Sequence, residues 1–251
     1  MNNAFPIIFN HFLLRTFREP MAIFFTLLLP MGLIILNATI TLNNADLVAD
    51  PAIAVTGITV LFMLAFQFFS GEVLCYTIYD DIRGTVRWRL LATPVPQRTF
   101  FIGAVLASWV FSAVQGLLTI GITSLIFDMQ WGNPVVLVAT LLLISLISQL
   151  IVITISQFAS TRRLCSGIMF GIGFLMMFLS NALFVNLGNS AVMVFFRTYG
   201  TPLALGQRAI LLSGVFETDM SEVMISLGIL VAIAVVLAGI SLVLGRRRKS
   251  A

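Results

Sequence analysis

Long apolar runs broken by short polar stretches set the pattern of this chain. A helix needs about 20 largely apolar residues to cross a hydrocarbon core about 30 Å thick, at 1.5 Å per residue. Six segments meet that requirement: about Met21 to Ile40, with Pro30 inside it as a kink, Ile53 to Tyr79, Phe100 to Phe127, Pro134 to Phe158, Ser166 to Leu187, and Val223 to Leu244. Between the fifth and sixth, Ala191–Phe196 and Leu203–Leu212 are apolar but each too short to cross, and Arg197, Gly200 and Pro202 stand between them. One helix over 188–213 would carry Arg197 to mid-membrane at a cost of about 2.5–3.5 kcal/mol, and it would invert the C-terminal tail. Two short re-entrant or interfacial helices avoid both, provided they pack against protein or water.

The first residues follow a different pattern. At helical spacing His11, Arg15 and Arg18 share one side, and Phe5, Phe9 and Phe12 another. No small-residue cleavage site follows a basic start, as a signal peptide would require. The expectation is an amphipathic helix on the inner leaflet, its basic side toward the head groups.

Charge placement orients the spans. With both termini inside, cytoplasmic segments hold Arg15, Arg18, Arg83, Arg87, Arg89, Arg98, Arg162, Arg163, Arg246, Arg247, Arg248 and Lys249, twelve of the 14 basic residues. Only Arg197 and Arg208 fall elsewhere, and the outer segments carry Asp46, Asp50, Asp128, Glu217, Asp219 and Glu222. This is the positive-inside asymmetry. Composition agrees: 59% of residues are hydrophobic and 10% charged, with mean hydropathy +1.07, against about 25% charged in a soluble domain. The net charge of +4 is therefore a membrane-orientation signal, and no nucleic-acid partner is expected.

Little soluble-enzyme chemistry is visible. Cys75 and Cys165 lack CxxC or metal spacing with the single His11, so no metal site is expected and free buried thiols are the reading. The phosphate-cradling GxxxxGK[ST] motif is absent from the sequence, and no catalytic residue stands out. Glu72 is the acid within a span, eight residues before Asp80 and so about 12 Å from the inner boundary. An intramembrane acid is costly unless protonated or paired. Two readings stay open: a substrate-facing or gating group, or an acid tied to a neighbouring helix. Gly167 and Gly171, with Gly173 nearby, form a small-xxx-small pattern suited to close helix packing, within one protomer or at a subunit interface. Phe66, Phe68 and Phe69 could line a greasy path, although core packing is their commoner use.

The most informative loop follows the second span. Asp80 and Asp81 open it, Gly84-Thr85 turns it, and a short basic helix with Arg87, Trp88, Leu90 and Leu91 stops at Thr93-Pro94. Trp88, Leu90 and Leu91 give it an apolar contact surface that a merely solvated loop does not need.

Arg83-Gly84-Thr85 followed by Leu90-Leu91-Ala92-Thr93-Pro94 resembles the "RGT…LLATP" stretch after the second helix of ABC-2 type transporter permeases, with Asp81 where Glu is common. The outline of the whole chain is similar too. The resemblance implies the membrane half of an exporter, with ATP and Mg²⁺ on a separate nucleotide-binding ATPase subunit and none in this chain. It further implies two permease chains, identical or paralogous, and two ATPases. The segment from Asp80 to Pro94, with the N-terminal helix, would be the ATPase-coupling element. Cargo would be a drug, antimicrobial peptide or lipid moved outward, or alternatively a lipid-linked polysaccharide. A non-transporting scaffold or sensor is the alternative of another class.

The expected fold class is all-α integral membrane, in the cell membrane and in contact with its lipid. One domain would comprise an interfacial helix (1–19), spans one to five (20–187), an outer re-entrant segment (188–222), span six (223–244) and a basic cytoplasmic tail (245–251).

Overall fold

A computed structural model describes residues 4–43, 50–84, 87–88, 92–127, 129, 131–180, 190–215 and 218–247. Among them every regular element is helical, so the chain is an all-α integral membrane protein. Helix α1 (Ala4–Arg18) precedes α2 (Leu29–Asn43), which is entered through a short helix at Pro20–Ile23 and a π-helical turn at Phe24–Leu28. Then come α3 (Pro51–Phe69), α4 (Gly71–Thr77) with a π-helical end at Ile78–Ile82, α5 (Gln97–Phe127), α6 (Pro134–Phe158) and α7 (Arg162–Leu179). Short helices α8 (Ala191–Phe195) and α9 (Pro202–Leu211) flank a π-helical turn at Phe196–Gly200, and α10 (Met220–Arg247) closes the described chain.

Among the described residues six helices are long and apolar enough to cross a membrane: Phe24–Asn43, Ala52–Ile82, Gln97–Phe127, Pro134–Phe158, Arg162–Leu179 and Met220–Leu244. The fifth begins four residues before the expected Ser166, because Thr161 caps it by accepting from the Leu164 N–H at 3.3 Å. Its expected end at Leu187 lies outside the described residues. Asp50, Asn133 and Thr201 similarly cap α3, α6 and α9, each followed by a proline at the first helical position.

The second span is the axis of the bundle. It is formed by α3, α4 and the π-helical end, and is broken at Ser70. Phe68, Met63, Leu64 and Leu74 are fully buried along it. At the break Ser148 of α6 donates to the Phe68 carbonyl, and Gly71 lets α6 come close: a Cβ there would lie 2.2 Å from Ser148 Oγ. Gln67 donates to the Ser112 carbonyl at 2.9 Å, to Ser112 Oγ at 3.0 Å and to Ser145 Oγ. Polar side chains thus fasten the second, third and fourth spans together, as polar groups do where water is absent.

Pro30 has a defined partner. In a regular α-helix the Thr26 carbonyl would accept from residue 30, and proline has no N–H to give. Gln115 of the third span donates to Thr26 O instead, at 2.5 Å.

The two short helices fall where the sequence places them. Helix α9 is buried against α3, α6 and α10, with Leu203, Leu205 and Ile210 inaccessible. Arg208, outside the basic segments, is neutralised by Glu222 at 3.0 Å.

Candidate functional site

The end of the bundle that carries Arg15, Arg83 and Arg162 gathers most of the residues singled out in the sequence. Glu72, Tyr76, Tyr79 and Arg83 recur at helical spacing from α4 into its π-helical end, and each meets a different neighbour. Glu72 accepts from Ser166 Oγ of α7 at 2.5 Å. The Tyr76 ring lies between two cations, Arg162 at 3.9 Å and Arg15 at 5.6 Å from its centroid. Tyr79 donates to the Ala159 carbonyl at 2.7 Å, and Arg83 donates to the Ser156 carbonyl at 2.6 Å. These two bonds complete the C-terminus of α6, where carbonyls otherwise lack partners and cations are favoured.

The adjoining acids pair outward. Asp80 accepts from Arg162 at 3.0 Å, and Asp81 forms an ion pair with Arg15 of α1. This end of the second span is therefore tied at once to α1, α6 and α7. Cation–π and charged contacts add specificity here more than bulk stability, since the pairs are partly solvated.

Arg15 is turned to Asp81 and Tyr76, and α1 packs against α5 with Phe12 and Thr16 buried. Gly103 of α5 permits that packing, as a Cβ there would meet Ile8 Cγ2 at 2.9 Å. His11 and Arg18 stay exposed.

The loop beyond is partly described. Gly84 sits so close to the π-helical end that a Cβ would lie 2.1 Å from the Asp80 carbonyl oxygen. The Arg87 N–H donates to the Gly84 carbonyl at 3.1 Å. Trp88 is 64% exposed, and Thr93 and Pro94 are exposed. Thr85, Leu90 and Leu91 lie outside the described residues.

For Glu72, the structure brings both open readings to one place. The acid is tied to α7 through Ser166, and it also lines a recess of about 1010 Å³ with Thr161, Arg162, Arg163 and Ser166. Cys75 Sγ lies 3.7 Å from Ser166 Oγ, and Cys75 and Cys165 are buried free thiols. Among the described residues nothing stands within 4 Å of a Cβ placed at Gly167 or Gly171. The fifth span makes its close approach at Gly173, where a Cβ would fall 2.2 Å from the Phe69 ring. Phe69 also stacks with Phe170 and Phe174 at 5.3 and 5.6 Å, so it serves packing. Among the described residues no group of three His, Cys, Asp or Glu side chains could hold a metal ion.

Sequence reasoning passed over Arg162, Tyr76 and Ser166. The recurrence of Glu72, Tyr76, Tyr79 and Arg83 on one helical face was the available signal, but nothing in the pattern names their partners on another helix.

The six apolar helices among the described residues define a polytopic membrane protein. The family model for the ABC-2 type transporter matches residues 3–209, most of the chain, and the chain belongs to that family. It is thus a permease subunit of an ABC transporter, a class of membrane component that associates with an ATP-binding subunit. No curated protein and no solved structure matches the chain.

Proposed function

We propose that this chain is the permease of an ABC exporter that moves an amphiphilic or hydrophobic compound outward, driven by ATP and Mg²⁺ on a separate ATPase chain. The observation that carries the reading is the knot of Arg15, Tyr76, Asp80, Asp81 and Arg162, which joins α1, the second span and α7 at one end. The ATPase docks on α1 and on the segment from Asp80 to Pro94, with Trp88 the prominent contact and Arg83, Gly84, Thr85, Arg87, Leu90, Leu91 and Thr93 supporting it. Pressure there is passed to the second span up to its break at Ser70, a rigid-body or hinge motion of the kind that opens and closes transporters.

This end faces the cytoplasm of a cell-membrane protein with both termini inside, because the basic residues gather there. A second permease, identical or paralogous, packs against the open Gly167–Gly171 face of α7. Glu72 lies at the inner opening of the substrate path.

Affinity capture of the tagged chain from native membranes in mild detergent tests the reading. Stoichiometric recovery of a P-loop ATPase is the expected result, with a second permease deciding between homodimer and heterodimer. A stable protein that brings down no ATPase after gentle extraction and crosslinking would overturn the exporter in favour of a scaffold or sensor.

A further inference from the structure

The recess beside Glu72 is lined by that acid and by two cations, Arg162 and Arg163. Glu72 uses one carboxylate oxygen to accept from Ser166, while Oε2 is buried with no hydrogen-bond partner among the described residues. A buried carboxylate oxygen left unpaired is costly. The last torsion of a glutamate side chain is broad, so a small rotation presents either oxygen to the recess. Arg162, also in the wall, is already committed to Asp80 and to the Tyr76 ring. Arg163 is exposed and makes no ion pair or hydrogen bond among the described residues.

Ser166, which marks the position of Glu72, lies three residues beyond Arg163 on α7, about 4.5 Å along the axis. A lone anion entering the recess would meet Glu72, and a lone cation would meet Arg163. A zwitterion satisfies both groups. Leu164 and Ile168, 48% and 39% exposed on the same helix, offer apolar surface next to the charges.

We infer that the recess lined by Glu72, Thr161, Arg162, Arg163 and Ser166 binds the head group of a zwitterionic amphiphile, its phosphate at Arg163 and its ammonium at Glu72. This rests on the exporter reading for its biological sense, and it names the chemistry the inner opening selects. The apolar surface beside the charges makes a membrane amphiphile the source, rather than a soluble phosphoamine.

The test is binding to the purified full chain in a neutral maltoside detergent. The probes are lysophosphatidylethanolamine, lysophosphatidylglycerol, which has the phosphate without the amine, and chain-free glycerophosphoethanolamine. The ethanolamine lipid should bind at least about tenfold more tightly than the glycerol lipid, as one charge-assisted contact provides. Glu72→Gln should erase that preference, while Arg163→Gln should weaken both lipids alike. Glu72→Asp, which retains a carboxylate, should recover part of the preference, so that a loss confined to Glu72→Gln is not a mere folding defect. Equal wild-type binding of the two lipids, or a preference that survives Glu72→Gln, would overturn the site. Equal affinity for the chain-free compound would overturn the membrane lipid as its source. A preparation that captures an ATPase but shows no head-group preference counts against the site alone. One with the preference and no ATPase counts against the exporter alone.

Discussion

The second and sixth spans are both long and apolar, yet they occupy opposite places in the molecule. The sixth is the more hydropathic, 3.0 against 2.1, and only 11% of its most apolar window is buried inside the protein, against 72% for the second. In water the more apolar helix would be the more buried. In lipid the order reverses, because apolar side chains gain nothing by leaving hydrocarbon, whereas small and polar ones gain contacts and hydrogen bonds by facing each other. Gln67, Ser70 and Gly71 mark the second span as interior. Among the described residues a Cβ at Gly228 or Gly239 of the sixth would meet nothing within 4 Å.

The comparison breaks first at the charged end. Asp81→Lys sets two cations against each other where Arg15 now pairs with an acid. It should reduce permease-dependent stimulation of the ATPase in proteoliposomes by about tenfold or more, a loss of roughly 1.4 kcal/mol or greater in coupling, with normal membrane insertion. The swapped pair Arg15→Asp with Asp81→Arg should recover much of it. Undiminished stimulation in Asp81→Lys would mean the knot is structural only.

Next in size, Gly71→Leu should lower thermal stability in detergent by the equivalent of about 1–3 kcal/mol, the usual cost of overpacking. Gly228→Leu on the sixth span should leave the melting temperature almost unchanged. Equal losses at the two sites would contradict the assignment of inside and outside. Gln67→Leu is a smaller perturbation. It removes the bonds to Ser112 and Ser145 and should cost about 1–2 kcal/mol on the scale of interhelical hydrogen bonds in membranes. A Val235→Thr control on the sixth span should move stability far less.

The smallest effect concerns the foot of the sixth span, where Tyr199 donates to Glu222 at 2.9 Å. That bond to a carboxylate holds the phenol above its ordinary pKa, with burial adding to the rise and the nearby Arg208 opposing it. A raised folded-state pKa means the contribution is full below the ordinary value near 10 and lost as pH rises through the raised one. Melting curves of the wild-type protein should therefore show an extra loss of stability in strong alkali that Tyr199→Phe lacks. Identical alkaline profiles would remove Tyr199 as an anchor.

How much of this was legible beforehand depends on the kind of information involved. Spans are set by local composition, so their number and the two short helices between the fifth and sixth could be read from runs of apolar residues and from Arg197, Gly200 and Pro202. Partnerships across helices are another matter. Glu72 stood out as an acid in a span, but that Ser166 would donate to it is a fact of docking. Gly167, Gly171 and the nearby Gly173 offered small residues for a close helix approach, but that Gly173 is the one against Phe69 depends on where α3 lies. Arg15 had the periodicity of a head-group residue, but nothing in the sequence pattern named Asp81 as its ion-pair partner.

Pro30 and Gln115 form an epistatic pair. Gln115 occupies the carbonyl that Pro30 cannot serve, so the worth of each residue depends on the identity of the other. Gln115→Leu should be harmful beside proline and nearly silent beside alanine, since Pro30→Ala restores an N–H to Thr26 within its own helix. A lineage that loses the proline is thereby released to lose the glutamine, and the order in which the two changes occur decides whether the intermediate is tolerated.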